Sequence, residues 1–143
     1  MILPDVNILL YAHDELSPFH RAAAGWFRTV LSADQVFFSW QTITGFLRIS
    51  TNPKLLANPL TIDRAVDIVN SWLEHENTYI VNFEKKDWPH FAEVLIEGQS
   101  SGALVMDAHL AALAASCGAT VASTDRDFTR FEGINFVNPI SKK

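Results

Sequence analysis

The chain has 143 residues, of which 48% are hydrophobic and 19% are charged. This length and composition fit one folded domain over residues 1–143 and exclude a disordered chain. The net charge of −5 argues against a protein that binds nucleic acid through a basic surface alone, but it fits an enzyme whose carboxylates hold cations.

The sequence also bears on location. The single cysteine, Cys117, cannot form an intramolecular disulfide and suits the reducing cytoplasm. No apolar run has the length of a transmembrane helix, so we expect no membrane span. The N-terminal residues lack the basic start and the cleavage site of a signal peptide, so we expect them to form the first strand.

The first half of the chain predicts two strands and two helices and leaves one segment open. Ile2-Leu3 begins a strand, whereas Val6 to Ala12 is apolar and fits either more strand or a helix. Ser17-Pro18 is typical of a helix start, with the serine as N-cap and the proline in the first turn. Val36 to Ser39 is a second strand candidate, and Trp40 to Ser50 has the apolar spacing of a helix.

The second half of the chain continues this alternation. Helices are predicted after Thr61, over Asp87 to Glu97 and Val105 to Cys117, and within the turn Asp125 to Phe131. Strands are predicted over Tyr79 to Phe83, Thr120 to Thr124 and, at an edge of the sheet, Phe136-Val137. The alternation predicts an α/β fold of three layers, α/β/α, around a central, mostly parallel sheet of four or five strands.

Four acids lie where ligands bind in such folds, beyond the carboxyl ends of the strands. Asp5 follows the first strand, Asp125 follows the strand that ends at Thr124, and Asp127 comes two residues later. Asp107 lies in the first turn of the helix that leads into that strand. Each acid alone also fits a purely structural role, as a turn former or a first-turn residue.

Together the four acids are more specific. Oxygen donors without histidine or cysteine suit a hard ion such as Mg²⁺ or Mn²⁺. Such an ion activates water and stabilises the charge that develops in phosphodiester cleavage. The sequence has no HExxH pair, no phosphate-binding glycine loop and no GxSxG elbow that would indicate another chemistry.

Three segments resemble the motifs of PIN domains. Ile2 to Asn7 resembles the opening strand with the first acid, Val105 to Ala114 the helix with the third acid, and Ser123 to Phe128 the closing acid turn. Gly45 to Ile49 and Thr51 to Pro53 fit one branch of the VapC toxins. The resemblance implies an endoribonuclease that needs Mg²⁺ or Mn²⁺ and cuts structured RNA such as tRNA or rRNA. It also implies a VapB-like antitoxin that blocks the site, and a homodimer.

Under this resemblance Asp5, Asp107 and Asp125 are the catalytic residues. Asp5 and Asp107 are expected to be the main metal ligands, while Asp125 and Asp127 hold a second metal or orient its waters. The candidates for contact with substrate or with metal-bound water are Asn7, Arg48, Ser123, Thr124 and Arg126. Each of these five also fits a structural or surface role.

One departure from the family concerns the helix after the second strand. Many PIN domains carry a glutamate there, whereas residues 35–62 contain no acid and the aligned position is Gly45. We therefore expect weaker metal affinity or a preference for Mn²⁺. Two other hypotheses stay open: a degenerate PIN-like module that only binds a protein, and a haloacid-dehalogenase-like phosphatase with Asp5 as nucleophile. The chain departs from the phosphatase family at two points. That family has a second aspartate where this chain has Asn7, and it has a lysine before its late acid motif, whereas this chain has no lysine between Lys86 and Lys142.

Overall fold

The computed structural model describes residues 1–140, and its centre is a parallel sheet of five strands. The strands are β1 (Ile2–Pro4), β2 (Val36–Phe38), β3 (Thr78–Ile80), β4 (Thr120–Ala122) and β5 (Asn135–Val137). They lie in the order β3-β2-β1-β4-β5, and every pairing is parallel. The predicted parallel sheet and the predicted edge strand at Phe136-Val137 are both confirmed.

Helices connect these strands and cover both faces of the sheet. They are α1 (Val6–His13), α2 (His20–Ala33), α3 (Trp40–Ser50), α4 (Ile62–Leu73), α5 (Trp88–Glu97) and α6 (Leu104–Cys117), with short 3-10 helices at Lys85–Asp87 and Arg126–Arg130. The segment left open by its pattern, residues 6–12, is therefore helical. No helix within residues 1–140 combines the length and the apolar character needed to cross a membrane.

Two predicted helix ends are confirmed by their capping geometry. The side chain of Thr61 accepts a hydrogen bond from the backbone N–H of Arg64 at 3.2 Å, at the start of α4. Gly118 ends α6 with φ of 69°, a left-handed conformation that glycine adopts without a steric penalty. These ends could be predicted because capping depends on neighbouring residues only.

The predicted start of α2, with Ser17 as N-cap and Pro18 as the first helical residue, was wrong by two residues, because the N-cap is Phe19 and the helix begins at His20. The Ser17 hydroxyl accepts the N–H of Phe19 at 3.1 Å, and the Ser17 carbonyl accepts the N–H of His20 at 3.1 Å. Ser17 therefore closes a turn that precedes the helix, and it does not cap the helix itself.

The third and fourth strands are shorter than the segments that predicted them. The prediction extended β3 to Phe83 and β4 to Thr124, whereas they end at Ile80 and Ala122. Val81 and Phe83 instead pack against the hydrophobic core beyond the end of the strand. An apolar run marks residues that the core buries, and these extend further than the residues that pair in the sheet.

The core divides into two clusters on opposite sides of the sheet. One joins α1, α2, α3 and α4 around Trp72, and the other joins α6 to β4 and to the 3-10 helix that holds Phe128. Within the sheet, the chain runs from β1 outward to β2 and β3 and then returns to β4 on the other side of β1. This reversal opens a crevice at the carboxyl ends of β1 and β4, the usual ligand site of open α/β sheets.

Candidate active site

The four acids converge on this crevice. Asp5 directly follows β1, and Asp125 lies three residues beyond the end of β4. Asp107 is in the first turn of α6, and Asp127 belongs to the 3-10 helix that begins at Arg126. Strands that run parallel end at the same edge, so residues far apart in sequence meet here.

Three of the acids form a close group. One carboxylate oxygen from each of Asp107, Asp125 and Asp127 lies within 4.8 Å of the others. Asp107 and Asp125 are half-buried, whereas Asp127 is exposed. The Asp125 carboxylate also accepts the backbone N–H of Asp127 at 2.9 Å, which holds the closing turn in place.

Asp5 adjoins this group but is held by bonds of its own. One carboxylate oxygen accepts the N–H of Val6 at 2.7 Å and so caps α1, while the other accepts the hydroxyl of Ser123 at 2.8 Å. Burial raises the pKa of Asp5, these two hydrogen bonds oppose the rise, and the charge of Asp125 adds to it. Asp5 is thus oriented toward the group without belonging to it.

Ser123 joins the two sides of the crevice through a single hydroxyl group. It is fully buried and donates to Asp5, and it accepts from the side-chain amide of Asn7 at 3.2 Å and from the N–H of Asp125 at 3.0 Å. Ser123 and Asn7, both predicted to contact substrate, are therefore placed where they position the acids. Thr124 is half-buried beside them.

Asp107 shows the electrostatic character of the site. Its pKa is raised to about 6, first by burial and then by the charges of Asp125, Asp5 and Asp127, while Arg130 opposes the rise. Carboxylates that repel one another at this range are stabilised by a shared cation. An all-oxygen donor set fits a hard divalent ion such as Mg²⁺ or Mn²⁺.

A cleft of about 150 Å³ lies beside the acids, between α3 and the start of α6. Asp5 and Asp107 line it together with Gln41, Gly45 and Arg48 of α3. The position predicted to lack the family's glutamate therefore lines the same cleft as two of the acids. Larger cavities of about 270, 260 and 310 Å³ lie elsewhere, lined by none of the four acids.

Arginines border the acid site. Arg48 and Arg126, both predicted to contact substrate, are exposed, one on the cleft and one between Asp125 and Asp127 in sequence. Arg130 was not predicted, although its charge lowers the pKa of Asp107. Its position three residues after Asp127, about one turn further along the same short helix, was the signal available in the sequence.

Gln41 and Met106 also belong to the cleft and were missed. The side-chain amide of Gln41 donates to the sulfur of Met106 at 3.0 Å, which joins the first turns of α3 and α6. Gln41 precedes Gly45 by four residues, so the two share a helix face. Spacing from Gly45 could have found Gln41, but nothing local indicated Met106.

Comparison with known proteins finds relatives along almost the whole chain. The family model described as PIN domain matches residues 2–134. The chain is 36% identical over 140 residues to Ribonuclease VapC37 of Mycobacterium tuberculosis, covering 97% of each protein. It is also 36% identical over 139 residues to Ribonuclease VapC48 of the same species, covering 96% of each.

Solved structures share the fold at low sequence identity. VapBC2 from Rickettsia felis, bound to a DNA fragment from its promoter, superposes with a TM-score of 0.70 at 17% identity, covering 96% of this chain and 98% of that one. Mycobacterium tuberculosis VapC20, a toxin that cleaves the sarcin–ricin loop, superposes with a TM-score of 0.65 at 14% identity, covering 94% and 99%.

Proposed function

This chain belongs to the PIN-domain family, and we propose that it is an endoribonuclease of the VapC type, the toxin of a toxin–antitoxin pair. The observation that carries the proposal is the group of Asp107, Asp125 and Asp127 within 4.8 Å, beside Asp5 in the crevice of the sheet. The family match spans all four acids, and we propose that residues 1–143 form one PIN domain. Membership in this family removes the basis for the phosphatase alternative.

The proposed cofactor is Mg²⁺, or Mn²⁺ in its place. Asp5 and Asp107 would be its main ligands, and Asp125 and Asp127 would hold a second ion or orient its waters. Asp107, Asp125 and Asp127 already lie close together, and Ser123 orients the carboxylate of Asp5. An ion of this kind supplies an activated water and neutralises the charge that develops on a phosphate during hydrolysis. Burial is the main cause of the raised pKa of Asp107, and the repulsion from the other acids that adds to it supports cation binding here.

The protein's own residues orient the acids and the RNA. Ser123 and Asn7 form a hydrogen-bonded chain that fixes Asp5 relative to Asp125. Arg48 and Arg126 are exposed at the border of the site, where they would bind phosphates on either side of the cut. Thr124 would contact the same backbone. These cations offset the negative charge of the chain where RNA approaches.

The glycine on α3 supports a further proposal about affinity. No acid of α3 lines the cleft within residues 1–140, because Gly45 stands at the position of the family's glutamate. With fewer carboxylate ligands, we expect weak Mg²⁺ binding and a preference for Mn²⁺. Calorimetric titration of the purified protein with each metal tests this, and tight Mg²⁺ binding would contradict it.

We also propose the partners and the place of action. The proposed partners are a VapB-like antitoxin that covers the acid site, an RNA substrate and a second copy of this chain. Structural neighbours described as VapBC complexes support the antitoxin. We place the activity in the cytoplasm, where cellular RNA is available and the unpaired Cys117 stays reduced.

Cleavage of total cellular RNA by the antitoxin-free protein tests the proposed function. The reactions contain Mg²⁺, Mn²⁺ or EDTA, and Asp107→Ala is tested beside the unchanged protein. We expect discrete cuts that require metal and Asp107, with the variant still folded. A folded, metal-bound protein that cuts no RNA would instead favour a module that only binds a protein, the alternative suggested by the missing acid at Gly45.

A further inference from the structure

The cleft at Gly45 has a shape and lining that the proposed metal chemistry does not require. We propose that it is a subsite for one nucleobase of the RNA, the base adjacent to the phosphate that is cut. The inference rests on the proposed function, since it concerns how the same site selects its substrate. Its walls, its opening at Gly45 and its polar edge each support it.

The walls of the cleft are largely apolar. Val6, Ile49 and Leu110 line it, and Asp5 and Asp107 are among its polar lining residues. A cavity that only held metal-bound water would be lined by polar partners. Apolar walls suit the flat faces of a base, and about 150 Å³ is well below the roughly 300 Å³ of a site for a drug-sized ligand, so it fits one ring system.

Gly45 keeps the cleft open. A Cβ added at this position would lie 3.1 Å from a methyl group of Val6, on the wall of the cleft. Glycine disfavours an α-helix and has an ordinary helical conformation here, so backbone geometry does not require it. Any larger side chain at position 45 would take up space in the cleft.

The polar edge of the cleft comes from the same face of α3. Gln41 lies one turn before Gly45, and its amide nitrogen is held by the sulfur of Met106. Within residues 1–140 no hydrogen bond is made to its amide oxygen, so a base edge with a donor group can be read there. Arg48, one turn after Gly45, only donates and suits a phosphate oxygen of the same nucleotide.

The test compares Gly45→Ala with Gly25→Ala. Gly25 lies in α2, and a Cβ there meets no atom within 4 Å, so it is a matched helical control. Each protein cuts a pool of RNAs with a randomised single-stranded segment, and the cut ends are sequenced. We expect a base preference beside the cut that Gly45→Ala and Gln41→Ala reduce by roughly tenfold or more and Gly25→Ala leaves unchanged.

Two further measurements separate the explanations. If Gly45→Ala alters the affinity for Mn²⁺ but not the base preference, the cleft serves the metal and the subsite is refuted. If the unchanged protein cuts nothing, the proposed function fails first, and binding of four short homopolymeric RNAs in EDTA decides the subsite. Discrimination among them that Gly45→Ala removes would support the subsite, and equal binding by both proteins would overturn it.

Discussion

Two half-buried ionisable groups, His13 and Asp107, differ in what surrounds them. His13 ends α1 and accepts the indole N–H of Trp72 at 3.1 Å among the rings of Phe27 and Phe46. Burial, with the charges of Arg64 and His20, lowers the pKa of His13 to about 4. Asp107 faces three other acids, yet with a pKa of about 6 it is charged at neutral pH.

This difference in surroundings indicates that His13 contributes to stability and that Asp107 contributes to function. His13 is neutral and has a hydrogen-bonding partner, so its surroundings favour the folded state. Asp107 is charged among like charges, so the folded metal-free protein is less stable than it would be without that charge. Repulsion retained in a crevice is typical of a site whose ligand relieves it.

The largest change in stability is expected from Trp72→Ala. Trp72 is 1% exposed, stacks on Phe38 at 5.3 Å and meets Phe46 edge-on at 4.8 Å between ring centres. Removing it should lower the free energy of unfolding by about 3–5 kcal/mol, measured by urea denaturation. Trp88→Ala, at a tryptophan that is 58% exposed, is the control and should change little. Equal losses for the two would contradict this packing.

The second prediction concerns the loss of folding stability at acidic pH. In the folded protein the pKa of His13 is about 4, below its ordinary value of 6.5. As the pH falls, His13 is therefore protonated in the unfolded chain before it is protonated in the folded protein. The contribution of neutral His13 to the free energy of unfolding is therefore fully present above pH 6.5. It is lost as the pH drops from 6.5 to 4, by up to about 3 kcal/mol.

His13→Gln should flatten this loss, measured by urea denaturation at a series of pH values. His90→Gln, at an exposed histidine of α5, should leave the loss as it is. A His13→Gln protein with the same decline as the unchanged one would show that other groups cause it.

Ser123→Ala should have a smaller effect on stability and a clear effect on activity. It removes one donated and two accepted hydrogen bonds from a buried position, at a cost of about 1–3 kcal/mol. With Asp5 held only by the N–H of Val6, RNA cleavage should fall by about 10- to 100-fold. Ser116→Ala, which removes only a bond to the carbonyl of Leu113, is the control. Unchanged cleavage by a folded Ser123→Ala protein would exclude a positioning role.

The smallest expected effect is an increase in stability, whereas Trp72→Ala and Ser123→Ala should each lower it. Asp107→Asn should raise the free energy of unfolding of the metal-free protein, by under about 1 kcal/mol because solvent screens this half-buried group. Cleavage should fall by more than about 100-fold, since a proposed ligand is lost.

Asp63→Asn is the contrasting control, because Asp63 lies in the first turn of α4 and its loss should lower stability. Thermal unfolding in EDTA measures both variants. A metal-free Asp107→Asn protein less stable than the unchanged one would show that the like charges do not dominate.

The sequence by itself determined the fold class and where the acids would gather. Alternating apolar runs predicted the strands and helices, and Asp5 and Asp125 could be placed at one edge because parallel strands end together. Capping at Thr61 and Gly118 was also predictable, because each capping signal depends only on neighbouring residues.

Only the tertiary structure decided how the acids are arranged. Asp5 and Ser123 are 118 residues apart in sequence, and no local pattern indicates that they share a hydrogen bond. The same holds for the contact of Gln41 with Met106. Local patterns determine backbone conformation and burial, whereas distances of a few ångströms between side chains depend on how whole elements pack.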